Sequence, residues 1–120
     1  MAHRRTSLVG ILALTLALLS SCQMERRKSD AELGLNPEQA QGRRIYDQHC
    51  IRCHEPYSGR ELQGPSLRGI FKKKTFPNGM PANDARMTDM VMFGRAKMPS
   101  FRDTITPDQM QALLAYLHTL

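Results

Sequence analysis

Two thiols and an imidazole stand at a spacing suited to one kind of chemistry. Cys50-Ile51-Arg52-Cys53-His54 reads C-x-x-C-H, the pattern of covalent c-type haem attachment. On a helical turn, positions i, i+3 and i+4 share a face, so Cys50, Cys53 and His54 point at one object. The thiols form thioether links to the haem vinyl groups, and His54 sits under the iron as proximal axial ligand. A redox-active C-x-x-C asks for a thioredoxin-like βαβ pattern around it, and a zinc half-site asks for a second Cys/His pair. Neither is present, because the remaining cysteine, Cys22, belongs to a separate motif. One covalently bound haem c is the expected cofactor.

The sixth ligand must be chosen from eight methionines. Met87, Met90 and Met92 lie on or beside a short helix and read as core. Met110 belongs to the packing face of the last helix, and Met1 and Met24 lie in the leader and the stretch after it. Met80 and Met98 each precede a proline. Proline holds the preceding residue extended, so a loop can present the thioether to iron rather than pack it into a helix. Met98 lies 44 residues beyond His54, after a helix and its Gly94 stop, whereas Met80 lies 26 beyond, in a loop that has still to travel round the haem. Met98 is the expected distal ligand, with Met80 as the alternative. His49 adjoins Cys50 and cannot cross the haem, and His118 near the C-terminus is expected to be solvated.

The elements that must position these groups read as helices. Asn36-Pro37-Glu38-Gln39 has an Asn N-cap, Pro at N1 and Gln at N3, a helix start that predicts a helix to about Cys50, with Ala40, Ile45 and Tyr46 inward. Residues 55–83 carry four prolines and four glycines and read as loop. So long a loop is at odds with a compact fold unless it wraps a cofactor. A short helix from about Asn83 or Thr88 ends at Phe93, stopped by Gly94. Thr106-Pro107-Asp108-Gln109 is a full capping box opening a last helix, which faces Met110, Leu113, Leu114 and Leu117 inward with Tyr116 beside them. With no alternating β-branched runs and no repeats, the expected class is all-α. A core this small is marginal alone, so haem is expected to act as its staple and the apoprotein to fold poorly.

His3, Arg4 and Arg5 precede an apolar run from Leu8 to Leu19. That is a basic n-region and an h-region, too short for a membrane span of roughly 20 residues. It ends in Leu19-Ser20-Ser21-Cys22, which resembles the lipobox of bacterial lipoproteins. The resemblance implies cleavage before Cys22 and a lipid on Cys22; the plainer reading is an ordinary signal peptide cut at small residues. A twin-arginine route is disfavoured, since haem is attached to an unfolded chain after export and that route carries folded proteins. One lipid anchor and two thioethers would use all three cysteines, so no disulfide is expected. The organisation is then a lipoprotein signal peptide (1–21), a polar, solvated, flexible tether (22–34) and one domain (35–120). The formal charge is +6. A basic chain often meets nucleic acid, but an exported, lipid-anchored one facing the periplasm or cell exterior of a bacterium does not, which leaves acidic redox partners or anionic lipid.

From about Asn36 to Leu120 the chain resembles the class I cytochrome c family. Gly42 and Tyr46 precede the attachment motif, Gly64-Pro65-Ser66-Leu67 matches the family's G-P-x-L segment, Met98-Pro99-Ser100-Phe101 its distal-ligand segment, and Leu114-Ala115-Tyr116-Leu117 the end of its last helix. The resemblance implies a small fold of three main helices and loops wrapped round one covalent haem. It also implies that the Pro65 carbonyl accepts a hydrogen bond from His54 Nδ1, that Leu67 and Tyr46 pack near the haem, and that Gly42 and Tyr116 sit where the terminal helices cross.

The expected function is electron transport by outer-sphere transfer, with no catalytic side chains. His/Met ligation holds similar geometry in both oxidation states, and the thioether raises the potential. Lys72, Lys73 and Lys74, with Arg95 and Lys97, form either a docking surface for an acidic redox partner or merely a solvated face; Arg68 is a candidate partner for a haem propionate. The expected assembly is a monomer or a subunit of a respiratory complex. Competing readings are a haem subunit of a larger dehydrogenase or oxidase, and an open-iron protein reacting with small gases or peroxide.

Overall fold

A computed structural model describes residues 27–120. The signal segment, Cys22 and Met24 therefore lie outside the described residues. Helix α1 (Pro37–His49) begins where its cap dictates. Gln39 N donates to Asn36 Oδ1 at 2.8 Å, and Asn36 N donates back to Gln39 Oε1 at 3.0 Å, satisfying two otherwise orphaned backbone donors. Helix α2 (Asp84–Phe93) starts at the earlier of the two expected places, because Asn83 Oδ1 accepts from Arg86 N at 3.0 Å. Gly94, with φ +73°, ends it. Helix α3 (Pro107–Leu117) opens on the reciprocal Thr106–Gln109 box. One 3-10 turn, Ile70–Lys72, interrupts the long loop. Among the described residues extended pairing is limited to two isolated bridges, Thr75 with Pro81 and Arg95 with Met98. The all-α class holds.

The core lies where α1 crosses α3. A Cβ on Gly42 would overlap the Ala112 carbonyl oxygen and lie 2.8 Å from Tyr116 Cβ, so the crossing depends on a residue without a side chain. The rings of Tyr46 and Tyr116 meet edge to face beside it, 5.4 Å between centroids, and neither is exposed. Ile45, Leu113, Leu114 and Leu117 complete this seam, with Ile70, Phe76, Met87, Val91 and Ile105 buried from the loops and α2. Met90 and Met92 are half-buried against the same core. The C-terminus closes the loop region: Gly69 N donates to the Leu120 carbonyl at 2.9 Å, and Lys72 Nζ to the same oxygen at 3.1 Å.

The stretch expected to be a solvated tether is, from Lys28 onward, folded against α1. Arg43 is the buried charged side chain among the described residues, 7% exposed. Its Nη1 pairs with Asp30 Oδ1 and its Nη2 donates to the Lys28 carbonyl, both at 2.6 Å. Local composition marked these residues as solvated, but their partner lies more than a dozen positions along the chain. Leu35, at the expected start of the domain, packs against the core.

The Gly42 crossing carries a test. Gly42→Ala drives a methyl into the α3 backbone, and overpacking of this kind costs about 3 kcal/mol or more. Denaturant unfolding followed by circular dichroism is expected to show that loss, while Gln41→Ala, one exposed residue away, leaves the midpoint within experimental scatter.

Candidate haem-attachment site

The attachment motif begins where α1 stops. Cys50 is the C-cap, with its N–H bonded to the Tyr46 carbonyl at 2.8 Å and that of Ile51 to the same oxygen at 3.1 Å. The three groups thus do not ride on a regular helix, as the spacing alone suggested. Their relation survives nonetheless. Cys53 N and His54 N both donate to the Cys50 carbonyl, at 3.0 and 2.9 Å, one further helical turn that keeps the i+3 and i+4 positions together.

His54 is held from two sides. Its Nδ1 lies 2.8 Å from the Pro65 carbonyl oxygen. A carbonyl only accepts, so Nδ1 carries the proton and Nε2 keeps its lone pair for a metal. The Tyr46 hydroxyl donates to the His54 carbonyl at 2.7 Å, fixing the backbone while Pro65 fixes the ring. Gly64 makes the approach possible: its N–H donates to the Cys53 carbonyl at 2.9 Å, and a Cβ there would overlap His54 Cε1 and sit 2.8 Å from Nδ1. Leu67 is buried, with its N–H bonded to the Glu55 carbonyl at 2.9 Å. The structure therefore brings together Tyr46, Cys50, Cys53, His54 and the Gly64–Leu67 segment.

The thiols suit thioether formation. Cys50 is 9% exposed, and burial, with lesser contributions from Cys53 and Asp47, pushes its pKa up to about 12. Such a site resists a thiolate but accommodates a neutral thioether. Cys53 is half-buried with Sγ 3.6 Å from Gln63 Oε1, and neither cysteine is in a disulfide. Among the described residues no three His, Cys, Asp or Glu side chains converge as a metal cage. One imidazole with Nδ1 committed to Pro65, in the same turn as two cysteine side chains, fits a metal that arrives within its own macrocycle.

Met98 and Met80 are both half-buried against the core, on differently built loops. Met98 closes a tight turn on the end of α2: Arg95 N donates to the Met98 carbonyl at 3.1 Å and Met98 N to the Arg95 carbonyl at 2.9 Å. Ala96 takes φ +52° in that turn. A Cβ on Gly94 would lie 2.7 Å from the Met98 carbonyl oxygen, so glycine lets the turn fold back. Beyond it, Ser100 Oγ donates to the Met92 carbonyl at 2.6 Å and Phe101 N to the Val91 carbonyl at 3.0 Å. Met80 ends the Phe76–Met80 turn, whose Asn78 Nδ2 lies 3.1 Å from Met90 Sδ.

The two other histidines have structural partners. His49 lies edge to face with Phe101 at 5.8 Å. His118 is exposed, but its Nε2 lies 2.7 Å from Asp84 Oδ1 and its ring stacks on Phe71 at 4.0 Å. Lys72, Lys73, Lys74, Arg95 and Lys97 are all exposed, and Lys72 also turns its Nζ back to the C-terminus. Arg68 lines a cleft of about 170 Å³ with Leu35, Pro56, Tyr57 and Leu120. Tyr57 is a residue the sequence did not single out. Its hydroxyl meets that of Tyr116 at 2.7 Å, extending the Tyr46–Tyr116 pair toward the surface. Burial raises the hydroxyl pKa of both Tyr46 and Tyr116 far above the ordinary phenol range, so both remain protonated.

Gly64→Ala is expected to push the imidazole off Pro65. The slowly exchanging Nδ1 proton of His54, followed by NMR, should be lost, while Gly59→Ala, with nothing within 4 Å of the new methyl, should retain it.

Two comparisons bear on this arrangement. Residues 37–117, all three helices with the motif and the Met98 loop, match the family described as cytochrome c oxidase, cbb3-type, subunit III. A cytochrome c6 from Rippkaea orientalis (strain PCC 8801 / RF-1) is 31% identical over 78 residues, which is 65% of this chain and 67% of that protein. The chain accordingly belongs to the c-type cytochrome family, as an all-α electron-transfer protein whose cofactor is covalently bound haem c.

Proposed function

We propose that this chain is a membrane-tethered, mono-haem electron carrier with His54 and Met98 as axial ligands and a lipid on Cys22. The observation that carries the reading is His54 Nδ1 committed to the Pro65 carbonyl at 2.8 Å, which leaves Nε2 as a metal ligand in one tautomer and one orientation. Cys50 and Cys53 would hold the haem covalently, with Leu67 and Tyr46 packing beside it. Haem supplies a one-electron iron couple when bound. The protein's part is to hold the ligands still and to exclude water. Tyr46 and Pro65 clamp the proximal side, and the turn of Arg95–Met98 with Pro99 stiffens the distal one. A thioether opposite an imidazole favours the reduced ion and raises the potential. Arg95 and Lys97, exposed beside that turn, with Lys73 and Lys74 offer positive charge to an acidic redox partner. No side chain is asked to perform acid–base or covalent chemistry, so the protein is a carrier rather than an enzyme. A leader ending in Leu19-Ser20-Ser21-Cys22 supports export and anchoring at a bacterial membrane, facing the periplasm or the cell exterior. Among the described residues no helix is long and apolar enough to cross a membrane.

A second reading, haem subunit of a larger oxidase or dehydrogenase, is favoured by the matched family's description as an oxidase subunit. Mild detergent extraction distinguishes the two: a stoichiometric partner that co-purifies with the haem marks a subunit, and a lone haem chain marks a freestanding carrier.

The ferric optical spectrum tests the ligand assignment. Wild type should show the weak far-red band of iron(III)–thioether ligation. Met98→Ala should lose it, and Met80→Ala should keep it. A band that survives in Met98→Ala and vanishes in Met80→Ala moves the ligand to Met80. A high-spin wild-type spectrum overturns the six-coordinate reading and favours an open iron that meets gases or peroxide.

A further inference from the structure

The N-terminal arm runs back along the haem-bearing helix and leaves the domain beside the attachment site. Arg27 pairs with Asp47, three residues before Cys50 on α1. Further along, the Lys28 carbonyl and Asp30 are held by Arg43, in the middle of the helix. Leu35 then reaches the start of α1 and packs on the core. Between these points the arm is internally braced. Ser29 N and Oγ both donate to Glu32 Oε2 at 2.7 Å, and Leu33, Gly34 and Leu35 donate to the carbonyls of Ser29, Ala31 and Asp30 at 3.0–3.1 Å. The Arg43 side chain is only 8% exposed. Freeing the arm would leave that desolvated charge without its carboxylate and its carbonyl, which makes release costly.

We propose that residues 27–35 are a strap rather than a slack tether, so that a lipid on Cys22 holds the Cys50 end of α1 close to the bilayer. This rests on the lipid-anchor reading above. Only five peptide units separate Cys22 from Arg27, a span of at most about 18 Å fully extended. A free arm up to Leu35 would reach about 45 Å. With the strap fastened, the exit point lies roughly one helical turn from Cys50, so the attachment end of the domain cannot swing far from the membrane. The partner this fits is a protein seated in or on the same membrane, with its electron-exchange site near the lipid surface. A diffusing soluble partner would be served better by the longer leash.

The full-length holoprotein on phosphatidylcholine–phosphatidylglycerol vesicles tests both parts. Trypsin cuts after Lys28 only by using the carbonyl that Arg43 binds, and mass mapping separates this cut from cleavage after Arg26. The cut after Lys28 should be slow in wild type and at least about tenfold faster in Asp30→Ala/Asp47→Ala, as expected when a local opening becomes easy. Quenching of a headgroup fluorophore by the haem should fall in that variant. It should also fall in a second chain with eight Gly/Ser residues inserted between Met24 and Glu25, which lengthens the leash without touching the strap. Wild-type cleavage after Lys28 as fast as after Arg26 overturns the strap, whatever anchors the chain. A strap that resists trypsin on a protein that bears no lipid and does not sediment with vesicles overturns the orientation and the anchor reading together. Unchanged quenching in the lengthened chain overturns the short leash alone.

Discussion

Two helix backbones can touch only where one of them presents no side chain, and here that place is Gly42 against the Ala112 carbonyl. Much of the molecule follows from this contact. It sets the seam on which Tyr46 and Tyr116 meet edge to face without solvent exposure. A buried phenol must spend its hydroxyl on a partner. Tyr46 spends its own on the His54 carbonyl, and Tyr116 pairs with Tyr57. The helix crossing is thereby coupled to the backbone of His54, the proposed proximal ligand, through one side chain. The attachment turn needs no regular helix beyond His49, because its hydrogen bonds to the Cys50 carbonyl and the Tyr46 clamp fix it from both ends.

The loops obey the same accounting. Residues 55–83 contain one short 3-10 turn, yet their polar groups find specific partners: Gly64 on Cys53, Leu67 on Glu55, Ala82 on Lys74, and Gly69 on Leu120. A chain of this size buries little apolar area in itself. Cys50, buried, and Cys53, half-buried, lie in the turn that carries His54, and a large apolar cofactor bound there adds to that burial. Covalent haem is the redox centre, and its expected second role as core material would account for so much irregular backbone in so small a domain.

Features set by neighbours in sequence were legible before any coordinates. The capping boxes at Asn36 and Thr106, the Gly94 stop and the C-x-x-C-H spacing are local signals, and each stands where its chemistry requires. The G-P-x-L resemblance likewise located the His54–Pro65 hydrogen bond. Features set by partners far along the chain were not legible. Asp30 and Lys28 read as solvated because nothing nearby announces Arg43 as their partner. His118 read as solvated and is exposed, but its contacts with Asp84 and Phe71 arise only through tertiary folding. Tyr57 carries no motif at all; its role exists only because α3 delivers Tyr116 to it. The attachment segment was placed on a helix because period 3.6 is blind to where a helix ends. The C-cap at Cys50 arises from its own backbone angles and the doubled bond to the Tyr46 carbonyl.

An electron carrier works fastest when its ligands move least between oxidation states, so the protein's contribution is measured in stiffness. On the proximal side that stiffness comes from one carbonyl on the ring and one phenol on the backbone. On the proposed distal side it would come from a turn closed in both directions between Arg95 and Met98, tied back to α2 through Ser100 and Phe101. Proline follows the proposed distal ligand, and a proline is the residue that grips the proximal one. Each removes backbone freedom where a metal would otherwise have to pay for it in ordering entropy. The same logic extends to the arm along α1. A buried arginine holds a carboxylate and a carbonyl of the arm; with the proposed lipid on Cys22, that hold would narrow the encounter with a partner before any docking surface is touched. On the proposed ligation and anchoring, rigidity at the iron and restraint at the anchor would act on successive steps of one process, electron transfer and the encounter that precedes it.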